Sequence, residues 1–388
     1  MGKSIHILYL AASLALLAQS AIAQAEATQA APAQPSLMGR ININEPLADS
    51  DIGLVARVHF ATHTPDFDRA RAFYRKLGYT GGISGFPLSN THLMARALGM
   101  VDICQYELVK GEVISLPGSL NTANIDLLQF KTPFNGKAPY ALPNHRGAAY
   151  SALLTTDLAR DVTFMKGEGV KFLSEPYGIP GDRFVFFKDP DGVLFKLVEA
   201  APPHGDAKAN MHLIAMPFVG INVSHLEKSL KFYRAFGYTD VKPFDQTGSL
   251  AEARAYGLDK PFHVKGADIS LGRGDHHVLR LTQWIDPYNP EPANPAPINR
   301  IGIQRIALLV ANLDRAVAIL KRQGVPFLSE IAPCCSGTGN DETGIVHAID
   351  PDGVYLELVG GIAKQPLQPQ PKGCPPLEIK MPPAVTSK

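Results

Sequence analysis

The sequence predicts an α+β protein assembled from four β-α-β-β-β units, and two nested repetitions predict it. The first repetition is long-range. DFDRARAFYRKLGY (66–79) returns as HLEKSLKFYRAFGY (225–238), RALG (96–99) as RAYG (254–257) and LLQFKTPFNG (127–136) as LTQWIDPYNP (281–290). GVKFLSEP (169–176) returns as GVPFLSEI (324–331), and FKDPDGVLFKLVE (187–199) as AIDPDGVYLELVG (348–360). Order and spacing hold over about 150 residues, the signature of a duplicated domain. The second repetition lies inside each copy. A strand-like run enters an amphipathic helix four times, in VHFATHTPDFDRARAFY, YSALLTTDLARDVTFM, FVGINVSHLEKSLKFY and RIALLVANLDRAVAIL.

Each unit can be justified in turn. Asp157 and Asn312 are good helix N-caps, and Asp66 and His225 hold the matching positions. Extended segments dense in Val, Ile, Leu and Phe follow each helix, as in VISL and DRFVFF. The modules span 51–200 and 211–362, joined by a linker at 201–210 and followed by a Pro-rich extended tail over 363–388. The second copy is longer around APCCSGTGNDETG, a Gly-rich insertion placed to act as a lid.

Ahead of the modules, Lys3, the apolar run Ile5 to Leu17 and Ala21-Ile22-Ala23 predict a secretory signal peptide over 1–23. Residues 24–50, rich in Ala, Gln and Pro, read as a disordered lead-in. A periplasmic or secreted protein is expected. The net charge of +1, with no long basic run, argues against nucleic acid and against anionic membrane surfaces once the signal is removed. An exported chain can form disulfides, and a tie from Cys374 in the tail to Cys334 or Cys335 is expected, with Cys104 a buried thiol. No GxSxG, Walker loop or HExxH occurs, which disfavours serine hydrolases, NTPases and zinc proteases. Adjacent His276 and His277 point to opposite faces of a regular strand and cannot serve one site together.

Paired β-α-β-β-β units, the D-[LF]-x-R-A-x-x-F-Y helix and the closing D-P-D-G-x-x-x-E-L strand together resemble the vicinal oxygen chelate superfamily. Glyoxalase I, fosfomycin and bleomycin resistance proteins and extradiol dioxygenases belong to it. The resemblance implies that paired units form a cupped mixed sheet with helices on its outer face. It also implies a divalent metal inside the cup, held by a His seven residues before the helix-starting Asp and by carboxylates in the last strands. The corresponding positions are His59, Asp126, Tyr150 and Lys196 in the first copy, and Phe218, Arg280, Arg305 and Glu357 in the second. Lys196 carries a cation where the family has a carboxylate, and two arginines cannot be deprotonated to bind metal. No tightly bound cofactor is therefore expected; a divalent metal, if held, would use His59 and Asp126.

Strand alternation sends His59 and His63 to one face. With Asp126, Tyr150 and Lys196 facing the same cavity, His59 is the expected general base, Tyr150 and Lys196 proton donors or oxyanion stabilisers, and Asp126 their orienting group. Lys196 could instead serve as a structural partner of Asp126. His63, Arg280, Arg305 and Glu357 are candidate substrate-binding residues, although the last three read most simply as an internal ion-pair network, with an anion pocket as the rival reading. His347 and Tyr355 could add donors. The expected activity is proton transfer on a small carbonyl-bearing or aromatic compound, of lyase or isomerase type, by a monomer or homodimer. The alternatives are a non-catalytic small-molecule sequestration protein and a metal-dependent glyoxalase or dioxygenase variant with an incomplete ligand set.

Overall fold

The computed structural model describes residues 51–382, apart from 85, 121–122, 201–209, 273–276, 295–296, 336–339 and 366–367. The signal and lead-in segments, nearly all of the linker, His276 and the centre of the Gly-rich insertion lie outside the described residues.

Four units follow one another. Unit 1 comprises β1 (Leu54–His63), α1 (Phe67–Lys76), β2 (Gly81–Ile83), α2 (His92–Ala97), β3 (Glu107–Ser115) and β4 (Asn124–Thr132). Unit 2 comprises β5 (Gly147–Thr155), α3 (Leu158–Gly167), β6 (Lys171–Phe172), β7 (Phe184–Lys188) and β8 (Leu194–Glu199), and the short β9 (Leu213–Ala215) follows it. Unit 3 comprises β10 (Phe218–Asn222), α4 (Leu226–Ala235), β11 (Asp240–Gly248), α5 (Leu250–Ala255), β12 (Phe262–Ser270) and β13 (Val278–Asp286). Unit 4 comprises β14 (Gly302–Asn312), α6 (Leu313–Arg322), β15 (Ala332–Cys335), β16 (Asn340–Ile349) and β17 (Tyr355–Gly361).

Helix starts are held as their sequences require. The side chains of Asp66, Asp157 and Asn312 accept the amides of Arg69, Arg160 and Arg315 at 3.1, 3.1 and 2.9 Å. His225 makes no such side-chain bond. There Gln283 accepts the Leu226 amide at 2.9 Å, as Gln129 accepts that of Phe67 at 3.1 Å in unit 1.

The architecture is α+β with two curled mixed sheets, and the strand partners differ from those expected. One sheet runs β15-β16-β17-β14-β1-β4-β3-β2 and so joins units 1 and 4; the other runs β11-β12-β13-β10-β5-β8-β7-β6 and joins units 2 and 3. The antiparallel seams are β1 with β14 and β5 with β10. Each cup therefore takes one unit from each copy. Units of one copy meet instead through their outer faces. The Phe60 and Phe195 rings lie 5.9 Å apart, and the Tyr74 hydroxyl donates to Asp189 at 2.7 Å. One continuous apolar core fills the space between the two sheets, with Phe60, Phe187, Phe195, Tyr233 and Leu356 wholly buried in it. Arg57, fully buried there, donates to the Met216 carbonyl at 2.8 Å, which satisfies part of its guanidinium.

The tail turns back along unit 1. The Leu88 amide donates to the Lys380 carbonyl at 2.6 Å, and Ser89 Oγ and Gln105 Nε2 both donate to the Glu378 carbonyl at 2.8 Å. These contacts bring Cys374 beside Cys104, and the two form a disulfide with a Cα separation of 5.5 Å. The expected tie to Cys334 or Cys335 is thereby replaced, and Cys104 is not a buried thiol.

Candidate functional site

The cup of units 1 and 4 gathers His59, Asp126, Arg305 and Glu357, one from each central strand. Arg305 Nε donates to Glu357, and its Nη2 donates to Asp126 Oδ2 at 2.5 Å. His59 Nε2 and His347 Nε2 stand 3.9 and 3.8 Å from the same Glu357 oxygen, too far for hydrogen bonds. Burial alone would raise the Glu357 carboxyl. Arg305, with His59 and His347 beside it, holds that carboxyl well below the usual carboxylate range. Burial raises Asp126 despite the same guanidinium, and it pushes His347 down to about 4. Two carboxylates thus share one permanent cation. The donor set does not fit a metal: Arg305 occupies the point on which Asp126 and Glu357 converge, and a guanidinium cannot give up its proton there. Among the described residues, no group of three His, Cys, Asp or Glu side chains is disposed to hold an ion.

This cup is also covered. Helix α2 lays Met94, Ala95 and Ala97 over the inner face, where they cluster with Leu98, Leu128 and Phe130. His63 is 1% exposed, its Nδ1 is 3.2 Å from the Leu128 carbonyl and its ring lies 5.5 Å from that of Phe130. Burial lowers its pKa, and it contacts the Leu128 carbonyl and the rings of Phe130 and Phe134.

The cup of units 2 and 3 is different. It holds Tyr150, Lys196, Phe218 and Arg280, so the expected grouping of His59 and Asp126 with Tyr150 and Lys196 does not exist; the cross-copy strand pairing divides it. Asp126 pairs with Arg305 rather than Lys196. Glu357 pairs with Arg305 and not with Arg280, whose Nε and Nη2 donate to the two Asp268 oxygens, both at 2.7 Å. The same guanidinium lies 4.2 Å from the Phe218 ring centre. Lys196 Nζ donates to the Tyr256 hydroxyl at 3.2 Å and sits 3.9 Å from the centre of the Phe184 ring. Burial, aided by the charge of Arg280, lowers Lys196 to about 7. Burial raises Tyr150 to about 12 and takes Tyr256 higher still.

A cavity of about 300 Å³ opens beside these groups, walled by Tyr150, Phe244, Tyr256, Phe262, Arg280 and Trp284. That volume suits a small, flat organic molecule. Trp284 is fixed by donating to Asn222 Oδ1 at 3.1 Å, while Asn222 Nδ2 donates to the carbonyls of Pro143 and His145 at 2.7 and 2.6 Å. Gly220 is required beside the cavity, because a Cβ there would lie 2.5 Å from the Tyr150 ring. A larger groove of about 460 Å³ runs between Lys321, Glu330 and the tail, outside both cups and without their converging polar groups.

Three exchanges at repeated positions explain why one cup is covered and the other open. Leu98, Leu128 and Phe130 of the covered cup correspond to Tyr256, Thr282 and Trp284 in RAYG and LTQW. The first set belongs to an apolar cluster; the second lines the cavity. Tyr256 and Trp284 were not among the expected site residues, although the differences between the copies mark both.

The model of the glyoxalase/bleomycin resistance protein/dioxygenase superfamily matches residues 56–197 and 215–358, and the chain belongs to that superfamily. No curated protein matches it in sequence. Among solved structures, it is similar to glyoxalase I from Zea mays at 18% identity, with 79% of this chain and 92% of that chain covered and a TM-score of 0.47. It is similar to a glyoxalase family protein from Bacillus cereus at 21% identity, covering 41% of this chain and 100% of that one, with a TM-score of 0.34. A mutant 4-hydroxymandelate synthase from Streptomyces coelicolor matches at 14% identity over 80% of this chain and 94% of that one, with a TM-score of 0.27.

Proposed function

We propose that the chain is an exported enzyme that binds a small carbonyl-bearing or aromatic compound in the cup of units 2 and 3 and moves a proton on it without a metal. The observation that carries this reading is the hydrogen bond that Lys196, itself not among the residues lining the cavity, donates to the wall residue Tyr256. An amine that exchanges its proton near neutral pH, joined to a hydroxyl facing the ligand, is suited to general acid–base work of lyase or isomerase type. Arg280, oriented by Asp268, is placed to stabilise developing negative charge. His59 and Asp126 leave the catalytic set and become part of the Arg305 ion network. Export is supported by the N-terminal signal pattern and by the Cys104–Cys374 disulfide. Both cups are completed within one chain, so a monomer suffices.

The test combines binding with turnover. Trp284, the sole tryptophan, reports small aromatic carbonyl compounds entering the cavity by fluorescence quenching. Exchange of their carbon-bound protons with deuterated solvent then reports turnover. Lys196→Met and Tyr256→Phe are expected to slow exchange by about 10²-fold or more while ligand still quenches Trp284. Loss of activity in a chelator, or in His59→Ala with binding intact, would overturn the reading. The aromatic walls and the Arg280–Phe218 stack favour sequestration as a second reading; ligand protection of the fold with no exchange in the wild-type protein would establish it.

A further inference from the structure

Three donors that line the cavity of units 2 and 3 are unspent. Arg280, Thr282 and Trp284 alternate along β13 and share one face of it. Arg280 gives Nε and Nη2 to Asp268, and its guanidinium carbon lies 4.2 and 5.7 Å from the Phe218 and Phe244 ring centres. Its Nη1 has no hydrogen-bond partner among the described residues. The hydroxyls of Thr282 and Tyr150, residues only 8% and 5% exposed, also lack one there. Buried polar groups are ordinarily partnered, and a donor left without an acceptor is costly. The three stand close together: Gly220 on β10 pairs with Tyr150 on one side and Arg280 on the other, and the Tyr150 ring fills the space that a Gly220 side chain would take. Burial raises Tyr150 to about 12, so its hydroxyl keeps a proton to donate. A guanidinium cannot accept, so the group that satisfies this set must offer several acceptor atoms. The charged lining residues are Arg280, Lys242 and Asp268, an excess of one positive charge. Beside them Tyr256, Phe262 and Trp284 form an aromatic wall, with ring centres 5.3, 5.4 and 6.0 Å apart.

We propose that the ligand of this cavity is an aromatic monocarboxylate, its carboxylate received by Arg280, Tyr150 and Thr282 and its ring by Phe262 and Trp284. The proposal rests on the cup of units 2 and 3 being the ligand site, and it narrows the ligand there to a ring bearing one negative charge. A carboxylate suits the donors because its two oxygens accept in the plane of a guanidinium and keep lone pairs for the two hydroxyls. A phosphate ester would bring a second negative charge that the lining does not match, and an amine would set its charge beside Arg280. Charge that develops during proton transfer then adds to a group that Arg280 already holds.

The probes are benzoate, its neutral isostere benzamide and the cation benzylamine, each titrated into the full chain at pH 7 while Trp284 fluorescence is followed. Saturable quenching by benzoate should occur at concentrations about tenfold or more below those benzamide needs, with benzylamine weaker still. Tyr150→Phe and Thr282→Val, which leave the Arg280–Asp268 pair intact, should each weaken benzoate about threefold to tenfold. The double variant Arg280→Met with Asp268→Asn removes the guanidinium without stranding a carboxylate, and it should abolish the preference for benzoate over benzamide. Benzamide or benzylamine bound as tightly as benzoate overturns the carboxylate and leaves the ligand site standing. A benzoate preference that survives the double variant overturns the assignment to Arg280. Absence of saturable quenching by all three probes overturns the carboxylate and the site reading together.

Discussion

The Tyr74 hydroxyl donates to the buried Asp189 carboxylate at 2.7 Å, and Tyr233 repeats the bond to Asp350 at 3.0 Å. In both cases a helix of one unit closes on the Asp-Pro-Asp-Gly turn of the next. Asp189 Oδ1 also accepts the amides of Asp191 and Val193, at 2.9 and 2.8 Å, so the carboxylate sets the turn and anchors the neighbouring helix at once. Tyr74→Phe should cost about 1–3 kcal/mol by leaving a buried acceptor unmatched. Tyr233→Phe should cost a similar amount, and urea unfolding of the double variant should show the two losses adding.

Lys196 should make stability depend on pH. Its folded pKa of about 7 lies below the ordinary 10.5, so between these values the unfolded chain binds more protons and stability rises with pH. Below pH 7 the cost of the buried charge is fully present, roughly 4–5 kcal/mol. Lys196→Met should therefore stabilise the protein at pH 6, and its advantage should shrink steadily by pH 10 in denaturant titrations.

Arg305→Met should leave Asp126 and Glu357 buried without their cation and destabilise the fold by about 3–5 kcal/mol. Combining it with Asp126→Asn and Glu357→Gln should recover part of that loss. Quenching of Trp284 by ligand should persist in every variant stable enough to fold, because the network lies in the other cup.

The Cys104–Cys374 bond closes a segment of 270 residues. Cys374→Ser should lower stability by about 2–5 kcal/mol. Amide hydrogen exchange should then rise first at Leu88, whose amide donates to the Lys380 carbonyl, and at Lys380, whose amide donates to Ser89 Oγ, with exchange near Trp284 unchanged.

The units, their helices and the inward-facing positions were legible because helix caps and strand alternation are local properties. Asp157, Asn312, Tyr150, Lys196, Arg280 and Arg305 all occupy the elements and faces that the sequence indicates. Which units share a sheet was not legible. Four similar β-α-β-β-β units present similar first strands, and nothing within β1 specifies β14 over β5 as its antiparallel neighbour. The disulfide was hidden for a related reason: the tail's path is set by its Glu378 carbonyl accepting from the Ser89 and Gln105 side chains, which leaves no pattern in composition. Tyr256 and Trp284 were readable, since each replaces an aliphatic or smaller aromatic residue in an otherwise faithful repeat.

The cross-copy pairing of strands separates the unit of duplication from the unit that forms a cup. Each half of the gene writes one wall of the open cavity and one wall of the arginine-bridged cup. Neither half can be cut away, exchanged or allowed to drift without altering both. Divergence of one cup toward an open cavity and of the other toward an arginine-bridged network therefore involves both halves, and residues as far apart in sequence as Tyr150 and Arg280 line one surface.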